Sequence, residues 1–156
     1  MTSLLSAPTG KYLLEPAPEY LYQEATEWLS EFEFFKTELA FLSNLMNVAF
    51  LRVTTRQKLN DFNRLSAKLN LFREVFLQQL HDELIIHERH LAALDLDRFS
   101  LDKDAIHEEH QAKFARVKSF MKDIKGLKME IFSLVEKQMR ATKKITKEFE
   151  EGILSL

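Results

Sequence analysis

The chain has 156 residues, 46% of them apolar and 29% charged, with a formal net charge of −2. This is the composition of one folded globular or helical-bundle domain, and it excludes a disordered chain. There is no cysteine, which excludes disulfides, thiolate zinc sites, iron–sulfur clusters and cysteine nucleophiles, and leaves the redox compartment open.

Residues 1–17 lack the basic start and sustained apolar stretch of a signal peptide, and are expected to form an irregular arm. The longest charge-free apolar run, Leu39 to Leu51, is too short for a membrane span and carries two asparagines and a serine. A cytoplasmic protein is expected. Glycine occurs only at 10, 126 and 152 and proline only at 8, 16 and 18, so neither interrupts the stretch from Glu19 to Lys125. Long helices follow from that distribution.

The first helix is predicted over 18–50, with Pro18 in its first turn and Glu19 beside the positive end of its dipole. Steps of three and four link Leu21, Ala25, Trp28, Phe32, Phe35, Leu39, Leu42, Met46 and Ala49 into one apolar face. A second row, Phe34, Phe41 and Val48, lies beside it and is widened by Leu29 and Leu45. That breadth exceeds the seam of a two-stranded coiled coil and implies more than one neighbour. Phe34, Phe41, Leu45 and Val48 are therefore the expected self-association surface.

A second helix is predicted over 54–94, opened by Thr54 as cap with Gln57 returning the bond. Its face is Phe62, Leu65, Leu69, Phe72, Phe76, Leu80, Leu84, His87, Leu91 and Leu94. A third is predicted over 101–150, capped by Ser100 or Asp102, with Ile106, His110, Phe114, Val117, Met121, Ile124, Leu127, Ile131, Leu134, Ala141, Ile145 and Phe149 inward. Gly126 is tolerated mid-helix, or marks a bend or a close contact. Two short connections make the fold all-α: one domain over 18–156, an up-down-up bundle of three long antiparallel helices completed by dimerisation.

Charge is segregated along the chain: −5 over residues 1–51, +5 over 52–73, −7 over 74–110, +8 over 111–147 and −3 over 148–156. Pairing between helices, or between copies, accounts for such blocks. The basic stripe after Lys113 comes without a helix-turn-helix, an arginine-rich clamp or an aromatic platform, so nucleic-acid or membrane binding is not expected.

All five histidines lie between residues 80 and 114, four of them as His87-x-x-His90 and His107-x-x-His110. A hairpin turning near 98–99 sets His87 level with His110 and His90 with His107. The first helix brings Glu19, Tyr20 and Glu24 to the same end. Two uses compete. The imidazoles are polar residues of a half-wet bundle end, hydrogen-bonded to Glu83, Glu88, Asp104 and Glu108. Alternatively His87, His90, His107 and His110, with Glu83 as fifth ligand or orienting partner, hold a divalent zinc, iron or manganese ion. A third reading is a pH switch, since protonating all five would move the 74–110 block from −7 to about −2 and loosen the tip below pH about 6.5.

No glycine-rich phosphate loop, trustworthy Ser-His-Asp order or His-Glu-x-x-His motif accompanies these residues, and the glutamate–histidine spacings of di-iron bundles and the histidine spacings of hemerythrins are absent. No segment resembles a known family. The expectation is a non-catalytic, oligomeric helical bundle that acts as an interaction or scaffold module, a homodimer or the partner of another protein. The alternative is a metal-binding bundle for storage, sensing or redox work.

Overall fold

The computed structural model describes residues 17–52, 55–96 and 103–154, and their regular structure is entirely helical. Helix α1 spans Pro18–Phe50. Extended Ala17 precedes it, and Pro18 sits in the first turn, where its missing N–H removes no helical bond. Its buried residues are the nine expected from the spacing, Leu21 through Ala49. Leu45 is partly buried against the core, whereas Phe34, Phe41 and Val48 are 60%, 55% and 57% exposed.

Helix α2 spans Arg56–Leu71, and its cap is Thr55, whose side chain accepts the Lys58 N–H at 3.2 Å. The expected cap, Thr54, lies outside the described residues. One π-helical turn, Phe72–Phe76, joins α2 without a break to α3, Leu77–Leu96. The Leu77 N–H donates to the Phe72 carbonyl, five residues back. That wider turn absorbs one extra residue, so the buried face steps from Phe72 to Leu77 instead of Phe76. Phe76, expected inward from its spacing, is 39% exposed.

Helix α4 spans Lys103–Leu154 and is about 78 Å long at 1.5 Å per residue. Ile106, His110, Val117, Phe120, Ile124, Leu127, Ile131, Leu134 and Gln138 are buried. Phe120 therefore takes the place expected for Met121, which is half-exposed, and the expected core residues Ile145 and Phe149 are exposed. A Cβ at Gly126 would meet nothing within 4 Å, so no close approach requires that glycine. Residues 1–16 of the expected arm 1–17, the turn near 98–99, and both Ser100 and Asp102 lie outside the described residues.

The helices form a bundle around one apolar cluster. At mid-height Phe35 and Phe72 both pack on Phe120, with ring centroids 5.6 and 5.8 Å apart, so α1, α4 and the π-turn meet at one point. Ion pairs join the helices: Glu38 with Lys128 and Glu83 with Arg116 between segments of opposite charge, and Glu130 with Arg64 and Lys68 between two segments that are both basic. Most of these groups are well exposed, so they set register more than stability. Among the described residues, no helix is long and apolar enough to cross a membrane.

Candidate functional site

His87 on α3 and His110 on α4 occupy inward positions of their helices, among Leu84, Leu91 and Ile106, and both are buried. Helix α1 closes the site from the third side with Trp28, whose indole stacks on His110 at 4.6 Å and on His87 at 6.5 Å between centroids. A buried imidazole must find hydrogen-bond partners or forfeit its hydration, and here the partners form a continuous chain. Glu24 Oε1 lies 3.2 Å from His110 Nε2, and His110 Nδ1 lies 2.8 Å from His87 Nε2. His87 Nδ1 lies 2.7 Å from Glu109 Oε1, and His90 Nδ1 reaches the same carboxyl at 2.9 Å.

Each of the three gaps from Glu24 to Glu109 holds one proton. A neutral imidazole has one N–H and one lone-pair nitrogen, so the three protons point the same way. Pointed at Glu109, they leave that carboxyl ionised, accepting from His87 and His90, while Glu24 stays protonated and donates its O–H to His110 Nε2. The reverse order would put the charge on Glu24, which is 12% exposed against 30% for Glu109 and has no second histidine donor among its hydrogen bonds. The first order thus keeps the charge nearer water.

The protonation equilibria agree in direction. Burial, and then Glu27, hold Glu24 above the usual carboxyl range. Burial lifts Glu109 too, but the hydrogen bonds of His87 and His90 outweigh it and the group falls below that range. Burial lowers His87 in spite of its Glu109 bond, and burial followed by His87 and His107 pushes His110 down to about 3. Both central imidazoles are therefore neutral at pH 7.

Of the five residues expected around a metal, His87, His90 and His110 come together. His107 is half-buried, and its charged form would disfavour a proton on His110. Glu83 instead accepts from Arg116 at 3.1 Å. The expected register of His87 with His110 is observed, and the acids bonded to His87, His90 and His110 are Glu109 and Glu24. Glu109 is not among the residues expected at the site, although a carboxyl one residue before His110 falls in the same register opposite His87. Trp28 is in the core as its spacing predicts, and its stacking on both imidazoles is not evident from spacing. Among the described residues, no group of three or more histidine, aspartate or glutamate side chains is arranged to hold a metal ion. The hydrogen bonds of this chain link α1 to α4 and α4 to α3.

No protein-family model matches the chain, and no curated protein or solved structure is significantly similar to it.

Proposed function

We propose that the chain is a non-catalytic interaction or scaffold module, an up-down-up bundle of three antiparallel rods that self-associates through α1. The bundle order is supported by the pairs Glu24–His110, Phe35–Phe120 and Glu38–Lys128, which run in the same direction along α1 and α4. The pairs His87–His110, Glu83–Arg116 and Arg64–Glu130 run in opposite directions along α4 and the rod 56–96.

One observation carries the functional reading. Phe34, Phe41 and Val48 stand more than half exposed at seven-residue intervals on α1, a straight apolar row about 21 Å long. An antiparallel contact centred on Phe41 sets Phe34 against Val48 of the second copy, a self-complementary match. It also sets the acids of α1, which end at Glu38, against the acid-free stretch 39–51. A parallel contact would face acids with acids. Replacing Phe34 and Phe41 by serine is expected to lower the mass measured by light scattering without changing helicity. An unchanged mass would contradict the reading.

The metal-binding alternative draws on the convergence of three imidazoles with Glu24 and Glu109. Binding zinc, iron or manganese would separate His87 Nε2 from His110 Nδ1, because nitrogens about 2.0–2.1 Å from a tetrahedral ion lie roughly 3.3 Å apart, against 2.8 Å here.

A further inference from the structure

The α1 row does not stand alone, because α4 carries exposed apolar residues beside it. Met121, Phe132 and Met139 are 49%, 41% and 56% exposed. Steps of eleven and seven residues, about three and two turns, put them on one side of α4. The seam between the helices locates that side. Lys128 donates to Glu38 of α1 at 2.7 Å and its Nζ lies 5.7 Å from the centre of the Phe132 ring, so Phe132 flanks the α1–α4 seam. Met121 lies one heptad before Lys128 and level with Phe34, since Glu24–His110 and Phe35–Phe120 set level residues about 86 positions apart. On α1 the row Glu24, Glu31, Glu38 and Leu45 runs along the seam, its first and third members reaching α4, and Phe34, Phe41 and Val48 lie one step further out. The two helices therefore present one continuous face.

Area and charge indicate what covers that face. A stable interface takes about 800 Å² from each partner, and one row about 21 Å long on a helix about 10 Å wide falls well short of it. Lys118 and Lys125 precede Phe132 and Met139 at seven-residue steps, and among the described residues neither they nor Glu31 has an ion pair. A two-fold axis parallel to the helices lays α1 on α4 of a second copy and leaves heights unchanged, so symmetry fixes the register. Glu31 then stands level with Lys118 of the other chain, Glu38 with Lys125 and Leu45 with Phe132, each pair 87 positions apart. Phe34 meets Met121, and Val48 falls between Phe132 and Met139. Parallel α1 on α1 would face acids with acids, but parallel α1 on α4 faces them with lysines. The antiparallel order, once widened to both helices, would lay α4 on α4 and crowd Lys125 and Lys128 of both copies at the level of Phe41.

We propose that a second copy docks in parallel across the α1–α4 face, each α1 lying on the other copy's α4, with Phe34, Val48, Met121 and Phe132 as its apolar centre and Glu31–Lys118 and Glu38–Lys125 as its ion pairs. This rests on the reading of α1 as the self-association surface and changes the helix that α1 meets there, from α1 of the second copy to its α4.

The test is light scattering on the wild type and on variants at exposed positions only. The wild type is expected at twice the monomer mass, and both Phe34→Ser/Phe41→Ser and Phe132→Ser/Met139→Ser at the monomer mass. Lys118→Glu is expected to shift the mass toward the monomer, and adding Glu31→Lys to restore it. A monomeric wild type, or a Phe34/Phe41 variant that still doubles, removes the α1 reading and this contact with it. A monomeric Phe34/Phe41 variant beside a dimeric Phe132/Met139 variant overturns this contact alone, as does a Lys118→Glu change without effect or without rescue. Orientation is read by oxidising an equal mixture of Phe34→Cys and Met121→Cys chains, since the chain has no other cysteine. The disulfide is expected to join unlike chains; its absence, together with Phe41→Cys chains that link to themselves, would overturn the parallel order.

Discussion

Below pH about 6.5 an unfolded histidine binds a proton that folded His87 and His110 refuse. Both have lowered values in the fold, to about 3 for His110, so the unfolded chain binds more protons and stability falls as pH falls. The loss begins near 6.5 and, for His110, continues toward 3, with a limiting slope of about 1.4 kcal/mol per pH unit for each group. Glu24 opposes it, because its raised value adds stability on acidification, whereas Glu109 adds to the loss once the pH passes below the ordinary carboxyl range. The melting temperature is expected to drop between pH 7 and 5, and less so in His110→Gln; equal slopes for the two proteins would contradict the assignment. The proton order has its own check in urea unfolding. Glu24→Gln keeps a neutral donor for His110 Nε2 and should cost less than about 1 kcal/mol, whereas Glu24→Ala strands that nitrogen and should cost about 1–3 kcal/mol. Equal losses would contradict a hydrogen bond from residue 24 to His110 Nε2. The histidine register was legible in the sequence because hairpin arithmetic fixes which residues are level. Which carboxyl an imidazole reaches was not, since Glu83, Glu88, Glu108 and Glu109 differ by rotation about the helix axis, which spacing alone leaves loose by a residue.

At the scale of elements, the apolar face of α1 could be read in full because thirty-three residues keep one unbroken period between a proline start and a loss of pattern near residue 51. The rod 56–96 could not, because periodicity assumes 3.6 residues per turn and the π-turn at Phe72–Phe76 violates that once. Its trace was the five-residue step from Phe72 to Leu77, hidden by an apolar Phe76 at the expected four. In α4 the choice of Met121 over Phe120 was a one-residue phase error in a helix whose apolar residues are broad enough to permit either. If the π-turn is an inserted residue, deleting half-exposed Val75 lets the rod close as continuous α-helix with Leu77 moving into the four-residue step. The deletion is expected to keep the helical content by circular dichroism and to leave the melting temperature unchanged or raised. A large loss of stability would show that the turn is required by packing around Phe72 and Phe120.

For the whole molecule, part of the segregated charge is paired between helices: acidic α1 and α3 meet basic α4 through Glu38–Lys128 and Glu83–Arg116. What the bundle leaves uncovered is apolar and periodic, on α1 at Phe34, Phe41 and Val48 and on the α4 extension at Ile145 and Phe149. Surface of this kind is costly to expose and suits association, while the histidine chain has the character of a buried fastening between helices. Native mass spectrometry of untagged protein, purified without chelator, reports oligomeric mass and bound metal in one spectrum. The account expects multiples of the 18.4 kDa chain with no metal adduct; a monomer carrying one zinc, iron or manganese ion would contradict it.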